Sequence, residues 1–227
     1  VGTGTGQAAN ILSDSFNKVY GIDLSPVMLQ NAICKPNIRY LVGRAEDLSY
    51  FKDSSIDLLT VAVAFHWFDL TKFFQESHRV LKPNGTLAIW TYKSGILKNA
   101  PIATKLLRDF RFNLMTPYFE KGVYTVNNLY KDIKFPEEFY QNVQREIYDE
   151  ENNDDKNQYI VVNWNLSQYE NYLKTLSAYT NYLEKNPNAE DPVDELISNI
   201  KEAEGWNGDE LLPISFGSAF ILAEKKA

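Results

Sequence analysis

The sequence is poor in cysteine and histidine, and both shortages restrict its chemistry. Cys34 is the only cysteine, so no disulfide can form within the chain, which favours a reducing compartment and a cytoplasmic location. The two histidines, His66 and His78, stand apart and offer no paired spacing for zinc. We therefore expect no bound metal.

Long apolar runs and an excess of positive charge are also missing. No stretch approaches the roughly 18 apolar residues of a membrane-spanning helix, so we expect no membrane association. Acidic residues outnumber basic ones by 30 to 23, for a formal net charge of -7, which disfavours a broad basic surface for nucleic acid. The 227 residues, 44% of them hydrophobic, are enough for a globular chain with a sizeable core.

The chain does have a glycine-rich beginning. Gly2, Gly4 and Gly6 alternate along the first six residues, and without Cβ atoms they let the backbone approach a nucleoside cofactor closely. A short helix is predicted over 7–13. The next predicted strand ends in Asp23, near the spacing that places a carboxylate on ribose hydroxyls in doubly wound folds.

The glycine spacing also distinguishes between cofactors. A dinucleotide loop prefers the pattern G-x-G-x-x-G/A, whose last small residue lets helix and strand pack closely. Gly2 and Gly4 are followed by Gln7 at that last position, so the pattern is incomplete. A nicotinamide oxidoreductase is therefore disfavoured.

Strand and helix signals alternate as far as Tyr92. Strands are predicted over 19–23, 38–42, 56–64 and 86–92. One helix is predicted to begin at Ser25-Pro26 and to extend to Ile33, and another is predicted to begin at Asp69 and to end before a turn at 82–85. The apolar strand 56–64 should be central in its sheet. This order predicts an α/β, Rossmann-like doubly wound fold with a mostly parallel sheet and helices on both faces.

After Tyr92 the pattern changes. We expect a single domain with a cofactor-binding core over 1–92, a helical insertion over 93–141 that caps the active site, and further strands and helices over 142–227. The predicted elements are an amphipathic helix (Ala103, Leu106, Leu107, Phe110, Leu114), a strand over 143–148, one helix from Ser167 to Leu183, a helix carrying Val193 to Ile200, and an antiparallel C-terminal strand within 212–224. The acidic run 149–155 is predicted to be a solvated loop.

Five ordered blocks over residues 1–92 carry a resemblance to the class I S-adenosylmethionine-dependent methyltransferases, of the methyltransferase type 11 kind. The blocks are VGTGTG at 1–6, GIDLS with Met28-Leu29 after it, GRAEDL at 43–48, IDLL at 56–59 with AFHWFD at 64–69, and RVLKPNGTLA at 79–88. Within that family, the His66-Trp67 pair and Leu176 to Tyr179 resemble the branch of fungal trans-aconitate methyltransferases.

The resemblance implies S-adenosyl-L-methionine as cofactor and assigns its site. The glycines would lie against methionine and ribose, Asp23 would accept both ribose hydroxyls, and further residues would surround the adenine and methionine. The implied cofactor-binding residues are Gly2, Gly4, Gly6, Asp23, Leu24, Met28, Ala45, Glu46, Val63, Ala64 and Phe65. The resemblance also implies an apolar strand, and often a helix, before the loop, so we expect such a segment to precede Val1 in the natural protein.

His66 and Trp67 are the candidate catalytic residues, because they follow the central strand at the edge where ligands bind in open α/β sheets. His66 could act as a general base, donate a hydrogen bond to the acceptor, or be structural; Trp67 could wall the acceptor pocket or simply pack. The resemblance implies a small-molecule acceptor, for instance an organic acid such as trans-aconitate methylated on a carboxylate. The alternative is a methyltransferase-like fold that serves as a non-catalytic binding or regulatory subunit.

Overall fold

The structure, a computed structural model, describes residues 1–149 and 160–227. The predicted acidic loop therefore lies outside the described residues, except for Asp149. The chain divides into two compact units, each assembled from separate stretches. The first contains residues 1–91, 130–147 and 219–227, and the second contains residues 92–129 and 148–218.

Six strands form the two sheets of the first unit. β1 (Val19–Asp23) and β2 (Ile38–Val42) are parallel and in register, so that Asp23 lies beside Val42. The four-stranded sheet has the order β3-β4-β9-β6, with β3 at Ile56–Ala62, β4 at Leu81–Tyr92, β6 at Tyr140–Tyr148 and β9 at Ser218–Lys225. The prediction that strand 56–64 is central is wrong, because β1 pairs with β2 and leaves β3 at the edge of its sheet. A cleft of about 330 Å³, lined by Val19 and Leu59 among others, lies between β1 and β3.

Three helices of the first unit begin where the sequence predicts. α1 (Gln7–Leu12) follows the glycine loop directly, α2 (Pro26–Gln30) is capped by Ser25, and α3 (Leu70–Val80) is capped by Asp69. Each cap side chain accepts a hydrogen bond from a backbone N–H of the first turn, which a helix cannot satisfy internally. α2 is shorter than predicted, since Ile33 lies beyond its end. The mixed α/β fold with a mostly parallel sheet and an antiparallel C-terminal strand agrees with the sequence prediction.

The predicted turn at 82–85 is a bulge within β4. Leu81 pairs with Ile56 and Thr86 pairs with Leu58, so the residues between Leu81 and Thr86 have too few partners on β3 and bulge outward. Asn84 adopts a left-handed φ of 61°, which asparagine tolerates better than most residues. The turn chemistry was thus predicted correctly, but the strand starts earlier than expected.

The second unit is mostly helical. Its helices are α4 (Pro101–Asp109), α5 (Lys121–Asn127), α6 (Leu166–Lys174), α7 (Ser177–Lys185) and α8 (Pro192–Glu204). Its antiparallel sheet contains β5 (Ile96–Leu97), β7 (Ile160–Trp164) and β8 (Leu212–Phe216), in the order β5-β8-β7. The single helix predicted from Ser167 is wrong: Leu176 has an extended ψ of 138° and separates α6 from α7.

Apolar faces of α4, α6 and α8 meet in the core of the second unit. The residues of α8 that share the predicted face, Val193, Leu196, Ile197 and Ile200, are all buried. Tyr169 on α6 is buried too, and its hydroxyl donates to the carbonyl of Gly95 at 2.8 Å. This tyrosine therefore belongs to the core of the second unit.

Candidate active site

The glycine loop is fastened to the carboxyl end of β1. Thr3 N donates to the carbonyl of Ile22 at 3.0 Å, and Gly4 N donates to Asp23 Oδ2 at 2.7 Å. Gly2, Gly4 and Gly6 all have left-handed φ angles, of 65°, 54° and 80°, which side chains with a Cβ rarely adopt. The backbone conformation therefore accounts for all three glycines.

Only one of these glycines faces open space. A Cβ on Gly2 would come within 2.5 Å of the Ala64 Cβ, and a Cβ on Gly6 would collide with the Tyr40 ring. A Cβ on Gly4 would meet no heavy atom within 4 Å. Gly4 is thus the point where the loop leaves room for a ligand against its backbone, as a nucleoside cofactor requires.

Asp23 is held in place by backbone donors. Its Oδ2 accepts from Gly4 N, its Oδ1 accepts from Ser25 N at 3.0 Å, and its carbonyl accepts from Gly43 N at 3.0 Å. The side chain is half-buried, and each carboxylate oxygen keeps a second acceptor position. A carboxylate in this arrangement fits a vicinal diol such as that of ribose.

The predicted adenine residues differ in accessibility. Leu24 and Met28 are 60% and 48% exposed, which leaves apolar surface beside Asp23 for an adenine ring. Ala45 is buried, and the Glu46 carboxylate accepts from Asp69 N at 2.8 Å, at the start of α3. Glu46 therefore has a structural partner in addition to the predicted cofactor role.

The segment after β3 has an unusual backbone. Val63 adopts a φ of 50°, a strained conformation for a β-branched residue, and its N–H donates to the carbonyl of Trp90 at 3.0 Å. Ala64 lies against Gly2, because its Cβ is 2.5 Å from the position that a Cβ on Gly2 would take. Phe65 is fully buried among other aromatic rings, so any contact of this residue with the methionine chain would be through its backbone.

His66 contacts a residue that the sequence analysis did not identify. His66 Nδ1 lies 3.0 Å from the Tyr130 hydroxyl, at hydrogen-bond distance. Burial lowers the pKa of His66 to about 4, and burial raises the pKa of Tyr130 to about 12. Both side chains are therefore neutral near pH 7. Tyr130 belongs to no predicted element and lies 64 positions along the chain from His66, so no sequence pattern indicated this pair.

Trp67 projects toward solvent beside His66. It is 51% exposed, and its ring centroid lies 4.6 Å from that of His66. The other histidine, His78, lies within α3 and is not part of the site. Its ring stacks on that of Phe139, with centroids 4.7 Å apart. The structure thus places Trp67 and His66 side by side, in the segment whose Ala64 lies against Gly2.

Residues 1–149 and 160–227 contain neither a cluster of metal ligands nor a membrane-spanning helix. In these two stretches, no three side chains of His, Cys, Asp or Glu converge in a way that would hold a metal ion. No helix in the same stretches combines the length and hydrophobicity needed to cross a bilayer.

Comparison with known proteins supports the cofactor assignment. Residues 1–89 match the family model described as a methyltransferase domain. A protein of Dictyostelium discoideum named as a methyltransferase is 42% identical over 98 residues, which are 43% of this chain and 36% of that protein. The chain thus spans little more than a third of the length of this relative.

Two further likenesses extend over most of the chain. A Saccharomyces cerevisiae protein named as an S-adenosylmethionine-dependent methyltransferase is 27% identical over 224 residues, covering 89% of this chain and 76% of that protein. A solved structure from Anaeromyxobacter dehalogenans, named as a type II methyltransferase, superposes with a TM-score of 0.77 at 24% identity and covers 97% of this chain and 86% of its own. The last likeness supports the fold.

The comparisons and the loop geometry agree over the first part of the chain. Residues 1–89, which match the methyltransferase domain, include the glycine loop, Asp23 and the segment after β3. The chain is thus similar to S-adenosylmethionine-dependent methyltransferases, and this similarity implies S-adenosyl-L-methionine as the cofactor.

Proposed function

We propose that this methyltransferase esterifies a carboxylate of a small organic acid. The observation that carries the proposal is the state of His66. His66 follows β3 closely, and burial lowers its pKa to about 4. Its Nδ1 lies at hydrogen-bond distance from the Tyr130 hydroxyl. A general base works best when its pKa lies near the operating pH, so His66 is poorly suited to deprotonate an acceptor.

A carboxylate does not need such a base. Its pKa is about 4, so it is already ionised near pH 7. S-adenosylmethionine would supply a methyl group on a sulfonium. The acceptor oxygen would form the new C–O bond as the methyl–sulfur bond breaks, the electron pair of that breaking bond would go to sulfur, and no proton would need to move. Phenols and protonated amines, in contrast, must lose a proton. Because His66 is a weak base in the folded protein, we expect acids, which need no deprotonation near pH 7, to be the acceptors.

The remaining contribution of the protein is alignment. Gly4 and Asp23 would hold the cofactor through its amino acid and ribose parts, and the exposed surface of Leu24 and Met28 would take the adenine. Fixing the methyl carbon relative to the acceptor oxygen converts a two-body reaction into a unimolecular one, an effect that reaches about 7–11 kcal/mol. Trp67 would border the acceptor on the solvent side.

The test is methyl transfer from labelled S-adenosylmethionine to a panel of acceptors. The panel contains di- and tricarboxylic acids, with trans-aconitate among them, together with fatty acids, phenols and amines. We expect label in base-labile methyl esters of one group of acids, and a variant with Asp23→Asn should lose this activity. Label confined to amines or phenols would overturn the proposal, and cofactor binding without transfer to any acceptor would favour the non-catalytic alternative.

A further inference from the structure

Tyr130 lies where it can control the protonation of His66. Its hydroxyl is 3.0 Å from His66 Nδ1, and the side chain is 1% exposed. Its ring packs edge-on against Phe65, with centroids 5.6 Å apart, and Phe65 directly precedes His66. The hydrogen bond is therefore shielded from water, where such a bond is strongest.

The backbone holds Tyr130 in a conformation that it would not adopt by itself. Leu129 and Tyr130 have consecutive left-handed φ angles of 53° and 56°, although neither is glycine. Arg145 Nη1 donates to the carbonyl of Tyr130 at 3.1 Å, and the Arg145 guanidinium lies over the Phe135 ring at 5.3 Å. Strain of this kind persists only where the surroundings enforce it, and it is concentrated at functional sites.

The neighbours of Tyr130 indicate which atom carries the shared proton. Burial raises the pKa of Tyr130 to about 12, so its hydroxyl keeps its proton near pH 7. Thr91 Oγ1 is buried but has no hydrogen-bond partner among the described residues, so it does not accept this proton. Within residues 1–149 and 160–227, the acceptor at hydrogen-bond distance from the Tyr130 hydroxyl is His66 Nδ1, and the buried proton is satisfied when it is donated to that atom.

The opposite arrangement is less favourable. If His66 Nδ1 carried the proton and donated to Tyr130, the Tyr130 hydroxyl proton would have no acceptor among the described residues. A buried hydroxyl proton without an acceptor is costly.

From this geometry we propose that Tyr130 is a positioning residue: its hydroxyl donates to His66 Nδ1 and thereby fixes the tautomer in which His66 Nε2–H donates to the methyl acceptor. The inference rests on the proposed carboxylate chemistry for the identity of the acceptor. A neutral N–H donor binds a carboxylate oxygen and gives nothing to a protonated amine, which has no acceptor atom. Tyr130 would therefore contribute to the selection of acids through His66.

The tautomer of His66 can be measured without any acceptor. With ¹⁵N-labelled histidine, the labelled ring nitrogens in the chain are those of His66 and His78. The variant His78→Gln shows which signals belong to His66. In the unsubstituted protein at pH 7 we expect His66 Nδ1 to be unprotonated and Nε2 to carry the proton. Tyr130→Phe removes only the hydroxyl, and we expect the Nε2–H preference to fall by about fivefold, the equilibrium change of one neutral hydrogen bond.

Tyr140→Phe is the matched control. Tyr140 is also buried in the first unit, and its hydroxyl bonds to Ser77 at 2.6 Å, away from His66. The His66 tautomer should not change in this variant. A protonated Nδ1 in the unsubstituted protein would overturn the proposal, even if Tyr130→Phe failed to fold, and so would an unchanged tautomer in folded Tyr130→Phe.

Kinetics then separates this inference from the proposed function. Glutamine places an amide N–H near the position of Nε2, whereas asparagine places one near Nδ1. With an active acid, we expect His66→Gln to retain more kcat than His66→Asn, and Tyr130→Phe to lose about fivefold in kcat with the KM for S-adenosylmethionine unchanged. If no acid is methylated, the proposed function fails while the tautomer measurement stands; equal losses in the Gln and Asn variants would contradict the donor role.

Discussion

Gly4 and Asp23 are joined by a hydrogen bond of 2.7 Å from the Gly4 backbone nitrogen to Asp23 Oδ2. This contact connects the only loop glycine that faces open space with the acid at the end of β1. The two features on which a cofactor site was predicted are thus parts of one structure. Removing either should affect ligand binding in a measurable way.

Asp23→Asn should weaken cofactor binding. The substitution removes the negative charge that would attract hydrogen bonds from the ribose hydroxyls. It also replaces one of the two oxygens that accept from Gly4 N and Ser25 N with an amide donor. We expect the affinity for S-adenosylhomocysteine to fall by about 10- to 100-fold, or about 1.4–2.8 kcal/mol, the range for hydrogen bonds to a charged group. Calorimetric titration measures it. Asp57→Asn, on an exposed side chain paired with Lys82, is the control and should bind normally.

Gly4→Ala and Gly205→Ala form a matched pair. Both glycines have left-handed φ angles, of 54° and 70°, and a Cβ on either meets no heavy atom within 4 Å. Each variant should lose about 1–2 kcal/mol of stability, the cost of the left-handed conformation for an alanine. Only Gly4→Ala should also weaken S-adenosylhomocysteine binding, because Gly205 caps α8 instead. Equal affinities in the two variants would argue against a ligand at Gly4.

His66 should make the folded state less stable as the pH falls. Its folded pKa of about 4 lies below the ordinary value of 6.5, so between these values the unfolded chain binds more protons than the folded one. The free energy of unfolding should therefore decrease from pH 7 to pH 5. Because His66 is partly accessible, we expect its share to be about 1 kcal/mol rather than the full value of the shift.

Urea denaturation at pH 7 and pH 5 measures this effect. His66→Gln should show a smaller difference between the two pH values than the unsubstituted protein does. His78, whose pKa is also lowered by burial, remains in both proteins and supplies the same background. An equal pH dependence in the two proteins would contradict the assigned protonation of His66.

Two ion pairs of similar length should differ strongly in their effect on stability. Lys93 and Asp149 are 2.8 Å apart with side chains 7% and 15% exposed, whereas Lys82 and Asp57 are 2.6 Å apart with side chains 45% and 66% exposed. Lys93→Met breaks a mostly buried ion pair by removing its cation, and we expect a loss of about 3–5 kcal/mol. Lys82→Met should cost less than about 1 kcal/mol. Chemical denaturation compares them, and similar losses would refute the argument from burial.

Local sequence signals predicted the elements that have local causes. β1 and β2 agree with their predicted bounds because apolar runs end at Asp23 and Val42, and α2 and α3 begin at the predicted cap residues. The break between α6 and α7 was missed because apolar residues continue at helical spacing across it, with no glycine or proline to mark Leu176.

The same distinction applies to the site. The glycine loop and Asp23 were recognisable because both lie within one short stretch with a defined spacing. Tyr130 was not, because its contact with His66 depends on a left-handed backbone at Leu129 and Tyr130 that no residue type there signals. Contacts between distant parts of the chain require the folded structure.

We expect the glycine loop and Asp23 to form a site for S-adenosylmethionine rather than for a dinucleotide. Parallel calorimetric titrations of the protein with S-adenosylhomocysteine and with NADH distinguish the two ligands. We predict saturable binding of one S-adenosylhomocysteine per chain, weakened by Asp23→Asn, and no binding of NADH. Binding of NADH in place of S-adenosylhomocysteine, or S-adenosylhomocysteine binding that is insensitive to Asp23→Asn, would show that the glycine loop and Asp23 do not form this site.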